Sequence, residues 1–250
     1  MKISIITVVF NCKNALEDCI KSVLYQNYPE VEYIIIDGGS TDGTLDIIQK
    51  YKNDIAYWVS DPDKGIYDAM NKGIKAATGD IIGILNSDDV YVDKEILQSV
   101  AACLSEKDVD SCYGDLVYVA ANNMDRKVRY WKAGSFNKKN FKKGWMPPHP
   151  TFFARRSVYE HYGLFNLDFS LAADYELMLR FLYKYDVSTT YIPMCLVTMR
   201  TGGACKPGAN TFNNMIENYR AWIVNDLKPN PLTFIMKPLY KMSQFLNRKT

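Results

Sequence analysis

The sequence predicts an α/β fold in which an open, twisted and mostly parallel sheet is flanked by helices. Two short segments, 3–9 and 31–37, are apolar and rich in β-branched residues, as is typical of strands buried on both faces. Between them, apolar residues from Ala15 to Leu24 recur at helical spacing. A strand, a helix and a second buried strand in this order predict two parallel strands joined by a crossover helix.

The same alternation continues along the chain and becomes less regular in the second half. The next elements are predicted as a helix at 44–51, a strand at 55–59, a helix at 67–77, a strand at 80–85, a helix at 94–104 and a strand at 112–119. Further on come a helix at 172–184, a strand near 190–199 and a helix near 211–225. This order is typical of a Rossmann-like open sheet, here with a helical extension at its C-terminal end.

The stretch from Arg126 to Ser157 is strongly basic and has no regular pattern. It holds ten Lys or Arg residues and no acid, with aromatic residues between them. Such a run indicates either solvated loops or a surface that binds phosphates or anionic lipid.

The composition fits one well-filled domain. Of the 250 residues, 48% are hydrophobic and 23% are charged, and the net charge of +2 does not favour a nucleic-acid partner. No linker or repeat divides the chain, and no run of 18 apolar residues predicts a membrane span. The six cysteines include no CxxC pair, which favours a reduced, cytoplasmic setting over a zinc ribbon.

Residues suited to ligand binding follow four of the predicted strands. They are Phe10–Asn11, Asp37–Ser40, Asp61–Gly65 and Asn86–Asp89. The carboxyl ends of parallel strands share one edge of the sheet, where open α/β proteins bind their ligands, so these residues predict a binding site. The turn after the first strand has no glycine, and the dinucleotide, phosphate-loop and G-x-S-x-G motifs are absent.

The chemistry that remains at this edge is that of carboxylates. An ionised Asp37 accepts hydrogen bonds only, so it suits a ring N–H such as that of uracil; alternatively it caps the following helix. Asp88 and Asp89 are adjacent, and a lone buried charge costs on the order of several kcal/mol. Mg²⁺ or Mn²⁺ would neutralise the pair, with Asp88 as the better ligand, whereas Asp89 could instead cap the next helix or brace the turn.

Four stretches, taken in order, resemble glycosyltransferase family 2. They are SIITVVFN, IIIDGGSTDGT, KGIYDAMNKGIKAATGDIIGILNSDD and AADYELMLR, and the resemblance covers roughly residues 2–200. The resemblance implies the GT-A fold and an inverting transfer of a sugar from a nucleotide sugar. It favours a UDP-sugar as the donor, because UDP-sugars are common donors in this family. The bacterial branch that builds exopolysaccharide, capsule or O-antigen units is the most similar. Residues 1–225 would form one domain, with about 1–120 binding the nucleotide sugar and about 121–225 the acceptor.

The resemblance assigns the nucleoside-binding roles residue by residue. The backbone of Val8 and the ring of Phe10 would frame the base, and Asp37 would lie on its edge. Lys64 and Gly65 match the segment that closes over the nucleoside.

The resemblance also assigns the metal site. Asn86, Ser87 and Asp88 match the family's D-x-D motif, with Asp88 on Mn²⁺ or Mg²⁺ and the first position near the ribose. Asn86 stands where the family often has Asp, and an amide can still bond a ribose hydroxyl.

On the acceptor side, Asp174 matches the second residue of the family's Glu-Asp pair, the catalytic base, and Ala173 replaces the Glu. The plainer interpretation of Asp174 is a helix-dipole charge in a first turn. His149 lies in a proline-rich loop and faces either the diphosphate or acceptor, or serves as a structural histidine. Arg200 begins a glycine-containing segment that is either a lid over the diphosphate or an ordinary turn.

The end of the chain, 226–250, is predicted to be a basic amphipathic tail. Its last 23 residues carry five basic groups and no acid. Such a tail either lies on anionic lipid, placing the protein at the inner face of the membrane near a polyprenyl-diphosphate-linked acceptor, or packs back on the domain.

Two alternative functions stay open at this stage. A nucleotidyltransferase would use similar strand-end carboxylates, but it usually has a glycine-rich basic loop after the first strand, which FNCKNALE is not. A non-catalytic nucleotide-sugar-binding subunit would need Asp37 and Asp88 but not Asp174.

Overall fold

The computed structural model describes residues 1–106, 108–202 and 211–229. The strands in this part of the chain are β1 Ile3–Val9, β2 Val31–Asp37, β3 Tyr57–Ser60, β4 Ile81–Ile84, β5 Asp89–Tyr91, β6 Ser111–Ala120, β7 Asn123–Trp131, β8 Phe153–Arg155 and β9 Thr189–Arg200. The α-helices are α1 Lys13–Leu24, α2 Thr44–Lys50, α3 Ile66–Ala76, α4 Ile96–Glu106, α5 Arg156–Tyr162, α6 Ala173–Met178 and α7 Thr211–Val224. Two 3₁₀-helices, Lys138–Lys143 and His149–Thr151, and a π-helix, Leu179–Lys184, complete the described elements.

These strands form a nine-stranded sheet with the order β3-β2-β1-β4-β8-β6-β9-β5, and β7 pairs with β6. The strands β1 to β4 are parallel to one another, as the sequence predicts. The register sets Val9 beside Asp37, and Asp37 beside Ser60. The carboxyl ends of these strands therefore meet at one edge of the sheet, which confirms the predicted α/β architecture.

The other half of the sheet is mixed. Strand β8 lies antiparallel between β4 and β6, and β5 lies antiparallel to β9, while β6 and β9 are parallel. The prediction of parallel strands thus holds best for the first half. The strands β5 and β8 are three residues long, too short to show a periodicity in the sequence. Strand β5 brings the end of β9 beside the acidic turn, because Asp89 pairs with Met199.

Helices cover both faces of the sheet and create two apolar layers. One layer packs α3, α5, α6 and α7 against side chains such as Ile6 and Ile36. The other packs α1, α2 and α4 against side chains such as Ile5 and Ile35. Helix α3 approaches β1 closely at Gly73, where an added Cβ would lie 2.3 Å from Ile6 Cγ2.

The basic stretch Arg126–Ser157 is more ordered than its sequence predicts. Its first part is β7, which forms a hairpin with β6, and a 3₁₀-helix follows. Phe141 and Trp145 are buried in the core, so these aromatic residues are not part of a binding surface. The predicted helix at 172–184 is α6 followed by the π-helical turn.

Among the described residues, no helix is both long enough and apolar enough to cross a membrane. The tail predicted at 226–250 lies mostly beyond them, since 230–250 is outside the described residues.

Candidate active site

Phe10 stands at the end of β1 with its ring exposed. The residue is 64% exposed, although it directly follows a fully buried strand. The next residue, Asn11, has a positive φ of 49° and ties this end to the turn after β2. Its Oδ1 accepts from Thr41 N at 2.9 Å, and its own N–H donates to Ser40 Oγ at 2.8 Å. The side chain of Val8 is buried, so only its backbone could border the base, as the resemblance predicts.

Asp37 is enclosed by its own turn, and its place on the edge of the base stays a prediction. It is 0% exposed. Its Oδ2 accepts from Gly39 N at 3.1 Å, Ser40 N at 2.9 Å and Ser60 Oγ at 2.6 Å, and its Oδ1 accepts from Ser40 Oγ. The carboxylate therefore fixes the turn after β2. It does not cap α2, which begins after Gly43 without a side-chain cap.

Lys64 and Gly65 form the entrance to α3 and border open space. Gly65 has a φ of 112°, and an added Cβ there would meet no atom within 4 Å. Its N–H donates to Asp63 Oδ1 at 2.8 Å, and Lys64 N donates to Asp68 Oδ2 at 3.1 Å. A cavity of about 100 Å³ separates this segment from the loop at 167–170. The predicted closing segment thus lies against a cavity.

The turn Asn86–Asp89 follows β4 and holds polar groups that lack partners. Asn86 Nδ2 donates to Asp89 Oδ2 at 3.1 Å. Among the described residues, however, neither Asn86 Oδ1 nor Asp89 Oδ1 has a hydrogen-bond partner, although both are buried. Burial raises the pKa of Asp88, and burial together with the Asp88 charge raises the pKa of Asp89 well above its usual value. A bound cation or polar ligand would give the unpaired oxygens a partner, and a cation would also lower the raised pKa values of the two acids.

Arg200, at the end of β9, lies close to this acidic turn. Its Nη2 donates to Asp18 Oδ2 at 2.6 Å, and its charge lowers the pKa of Asp88, against the effect of burial. Its Nη1 is buried and lacks a hydrogen-bond partner within the described part of the chain. Cys12 lies here too, with its thiol beside the side chain of Ser87. The sequence gives no sign of these contacts of Asp18 and Cys12, because the pairing of β5 with β9 brings Arg200 to them from a distant part of the chain.

These groups fit a hard divalent cation. The described residues contain no cluster of three or more His, Cys, Asp or Glu that could hold a metal. Mg²⁺ and similar ions need only one or two carboxylates when substrate phosphates and water complete their shell. Asp88 is half-buried at the strand end, and the unpartnered oxygens of Asn86 and Asp89 flank it. This donor set suits a metal that binds together with a diphosphate.

Asp174 lies in the first turn of α6. Its Oδ1 accepts from Tyr175 N at 2.8 Å and from the Tyr67 hydroxyl at 3.4 Å. Tyr67 belongs to α3 and also lines the cavity beside Lys64 and Gly65. A hydrogen bond from Tyr67 therefore joins Asp174 to the wall of the cavity that Lys64 and Gly65 also line.

Helix α7 holds the loop in front of Asp174, a feature that the sequence does not predict. Glu217 accepts from Ser170 N at 3.0 Å, Ser170 Oγ at 2.8 Å, Leu171 N at 2.8 Å and Ala172 N at 2.8 Å. Burial opposes ionisation of Glu217, but these hydrogen bonds outweigh it and lower its pKa. One carboxylate thus fixes the entire entrance to α6.

His149 is buried near Asp174. Its ring meets Phe165 edge-on at 5.6 Å, and its 3₁₀-helix packs against β4. Burial lowers the pKa of His149, and the nearby Asp174 carboxylate raises it in part. Glu176, in contrast, is paired with Arg180 at 2.9 Å and accepts from Asn225 Nδ2 at 3.0 Å. Among these acids and bases, Asp174 and His149 are the ones near one another, while Glu176 braces the helix.

A curled mixed sheet with helices on both faces carries the groups of the candidate site at its carboxyl edge. The profile of the family described as "Glycosyl transferase family 2" matches residues 4–163. The chain belongs to glycosyltransferase family 2 and is a glycosyltransferase.

Curated relatives agree with this assignment. The chain is 35% identical over 183 residues to the uncharacterized glycosyltransferase Rv1514c of Mycobacterium tuberculosis, covering 71% of this chain and 68% of that protein. It is 37% identical over 106 residues to WfaP of Escherichia coli, a "UDP-Glc:alpha-D-GlcNAc-diphosphoundecaprenol beta-1,3-glucosyltransferase", covering 42% of each protein.

Solved structures share the fold. S. aureus TarS 1-349 in complex with UDP-GlcNAc has a TM-score of 0.70 at 19% identity, covering 99% of this chain and 72% of that one. The mannosyltransferase PcManGT from Pyrobaculum calidifontis, in complex with GDP-Man and Mn²⁺, has a TM-score of 0.66 at 18% identity, covering 98% and 69%. This protein covers 43% of the longer TarS chain.

Proposed function

We propose that this glycosyltransferase moves a sugar from a UDP-sugar to a hydroxyl of a glycan or polyprenyl-diphosphate-linked glycan, with inversion, in bacterial surface polysaccharide synthesis. One observation carries the proposal. Among the described residues, three buried groups lack hydrogen-bond partners: Asn86 Oδ1 and Asp89 Oδ1 in the turn of the half-buried Asp88, and Nη1 of Arg200, whose charge acts on Asp88. A diphosphate and its cation would supply the missing partners. The UDP-GlcNAc bound by TarS and the lipid-linked acceptor in the name of WfaP support the choice of substrates.

The donor half binds and orients the nucleotide sugar. The exposed ring of Phe10 offers a stacking surface for the base, and the backbone of Val8 borders it. Lys64 and Gly65 close over the nucleoside beside the cavity that they line. Asn86 and Ser87 face the ribose side of the acidic turn, and Arg200 presents its unpartnered N–H to the phosphates.

Asp88 would hold Mn²⁺ or Mg²⁺, assisted by the neighbouring oxygens. When bound, such a cation acts as a Lewis acid on the leaving diphosphate. The Mn²⁺ in the PcManGT complex supports this choice. The carboxylate of Asp88 anchors positive charge against the diphosphate, which removes the penalty of leaving two adjacent acids buried without a counterion.

The acceptor half supplies the base. Asp174 accepts the proton of the acceptor hydroxyl as that oxygen attacks the sugar carbon on the face opposite the leaving diphosphate. Tyr175 N and the Tyr67 hydroxyl bond to one oxygen, Oδ1, while no described residue donates to Oδ2. One carboxylate oxygen is thus held in place, and the other is open to the acceptor.

The test is acceptor-dependent release of UDP from a panel of UDP-sugars, with undecaprenyl-diphosphate-linked GlcNAc as the acceptor probe. We expect turnover with Mn²⁺ or Mg²⁺ and none with EDTA. Asp88→Asn should abolish transfer, whereas Asp93→Asn, a change at an exposed acid a few residues away, should not. UDP-sugar binding without turnover would indicate the non-catalytic subunit, and pyrophosphate release from a nucleoside triphosphate would indicate the nucleotidyltransferase. Tight GDP-sugar binding without UDP-sugar binding would contradict the proposed nucleotide.

We further propose that the basic tail places the enzyme on anionic lipid. Deleting 229–250 should reduce sedimentation with phosphatidylglycerol vesicles while UDP binding stays intact. A truncated protein that fails to fold would instead support packing of the tail on the domain.

A further inference from the structure

Helix α7 exposes an apolar stripe along one side. Five large side chains, 42% to 70% exposed, recur there at helical spacing: Phe212, Met215, Ile216, Tyr219 and Ile223. The other side of the helix is buried, since Ala221 and Trp222 lie in the core and Trp222 Nε1 donates to the Tyr175 hydroxyl at 2.9 Å. Because an apolar side of a helix is normally covered, the stripe indicates a further partner of α7.

The buried side of α7 faces the loop before Asp174. From this side, Glu217 accepts from Leu171 N and Ala172 N at 2.8 Å each. On the flank of the helix, the Arg220 guanidinium lies 5.3 Å from the centre of the Phe169 ring, which lines the cavity described above. About the thickness of one helix, roughly 10 Å, therefore separates the stripe from the entrance to α6.

The stripe belongs to the basic part of the chain. Residues 201–250 hold seven Lys or Arg and two acids, whereas residues 1–200 hold 23 Lys or Arg and 26 acids. Both acids of the basic part have partners, because Glu217 holds the loop before α6 and Asp226 Oδ2 lies 3.2 Å from Lys184 Nζ. This charge favours an anionic surface over a second copy of the chain, since two copies joined here would bring like charges together.

We propose that the stripe on α7 is a membrane-docking surface that lies in the interface of an anionic bilayer. Helices that lie in this way bury their apolar side at the boundary of headgroups and acyl chains, and basic residues strengthen the attachment to anionic lipid. Tyr219 suits the headgroup level, where tyrosines are enriched. A helix of 14 residues extends only about 21 Å, a small part of the roughly 800 Å² that each partner of a stable dimer buries.

The inference rests on the lipid-linked acceptor of the proposed function and extends it from the tail to a surface of the folded domain. With the stripe in the interface, the entrance to α6 lies on the far side of one helix from the lipid. Asp174 would then meet an acceptor hydroxyl that is close to the membrane.

The experiment measures sedimentation of the full-length protein with vesicles of phosphatidylglycerol and with vesicles of phosphatidylcholine. We expect the wild type to bind phosphatidylglycerol at least about tenfold more tightly than phosphatidylcholine. Phe212→Gln/Ile223→Gln should weaken binding to phosphatidylglycerol about tenfold or more, because two apolar side chains no longer enter the interface. The matched control is Tyr25→Gln/Tyr57→Gln, at side chains that are 68% and 47% exposed after α1 and on β3, and it should bind as the wild type does.

The outcomes separate this inference from the proposed function, because vesicle binding needs no turnover. Vesicle binding without transfer of sugar would overturn the proposed function alone. No wild-type binding to phosphatidylglycerol, equal binding to the two lipids, or an unchanged affinity of Phe212→Gln/Ile223→Gln would overturn the docking surface alone.

Two solution measurements on the same variants test the other occupants of the stripe. We expect Phe212→Gln/Ile223→Gln to keep the free energy of unfolding of the wild type in urea, because exposed side chains contribute little to it. A clear decrease would overturn the proposal and indicate that another segment of this chain packs on the stripe. A wild-type dimer that becomes monomeric in this variant, measured by light scattering, would overturn it in favour of a second copy.

Discussion

The proposed donor and acceptor sides of the site hold their carboxylates in different ways. On the donor side, most of the groups that fix Asp37 come from its own turn, at Gly39 and Ser40. On the acceptor side, the loop before Asp174 is held by Glu217, which lies 45 to 47 residues further along the chain. The donor edge is thus fixed largely by local contacts, and the acceptor side by tertiary ones.

This difference separates structural carboxylates from those free to do chemistry. Asp37 and Glu217 each satisfy several donors and hold a backbone segment in place. Asp88 and Asp174 are half-buried and less fully bonded, so they remain available to a cation or a proton. Substitutions of Asp88 or Asp174 are therefore expected to abolish or slow catalysis. Substitutions of Asp37 or Glu217 are expected to reduce stability or to displace the segment that each one holds.

The largest effect is expected at Asp174. Asp174→Asn keeps the shape of the side chain, but an amide cannot accept the acceptor's proton. We expect kcat to fall by about 10²–10⁴ while donor affinity changes by less than about threefold. Steady-state kinetics with UDP-sugar and calorimetry with UDP would measure both. Asp168→Asn, a change at an exposed acid on the loop before α6, is the control, and wild-type turnover in Asp174→Asn would leave Asp174 as a helix-end charge only.

The next effect is on stability, at Asp37. Asp37→Asn replaces one accepting oxygen with an amide nitrogen that faces buried donors, so the free energy of unfolding should decrease by about 2 kcal/mol. UDP affinity should change little, because the wild-type oxygens already accept hydrogen bonds from Gly39, Ser40 and Ser60. Urea denaturation and calorimetry on the same sample would test this. Unchanged stability with a tenfold or greater loss of UDP affinity would restore the role at the base edge predicted from the sequence.

A smaller effect on rate is expected at Glu217. Glu217→Gln leaves one side of the group with an N–H facing the N–H groups of Leu171 and Ala172, so the entrance to α6 should shift. We expect kcat to fall about tenfold with an unchanged donor KM, since a small displacement of a base lowers the rate without affecting distant binding. Glu160→Gln, at an exposed acid on α5, should leave kcat unchanged. A raised donor KM with normal kcat would contradict a positioning role.

The same comparison explains what the sequence could predict. The bounds of β1 and β2 were predicted residue for residue at 3–9 and 31–37, because buried parallel strands give continuous apolar runs. The rule that ligands bind at strand ends then points to Phe10 and Asp88, whose roles stay predictions. It could not show that Asp37 is enclosed by its turn, since that depends on side-chain direction.

The contacts missed from sequence are the long-range ones. The bond of Glu217 to the loop before α6 and the ion pair of Arg200 with Asp18 join residues far apart in the chain, and no spacing rule describes them.

The smallest predicted effect concerns pH, and it would show that the acceptor side is the one sensitive to mild acid. The chain has two histidines, and His149 is the buried one. Burial lowers its pKa below the ordinary value of 6.5, although Asp174 opposes this in part. The unfolded chain therefore binds more protons than the folded one as pH falls below about 6.5, so this contribution to stability is present above that pH and is lost on acidification. The slope from one such group is at most about 1.4 kcal/mol per pH unit.

Free energies of unfolding measured in urea at pH 5.5, 6.5 and 7.5 should show a shallower slope in His149→Gln than in wild type. His161→Gln is the control because that ring is exposed, so a slope that falls equally in both variants, or in neither, would remove His149 as the source of the acid sensitivity.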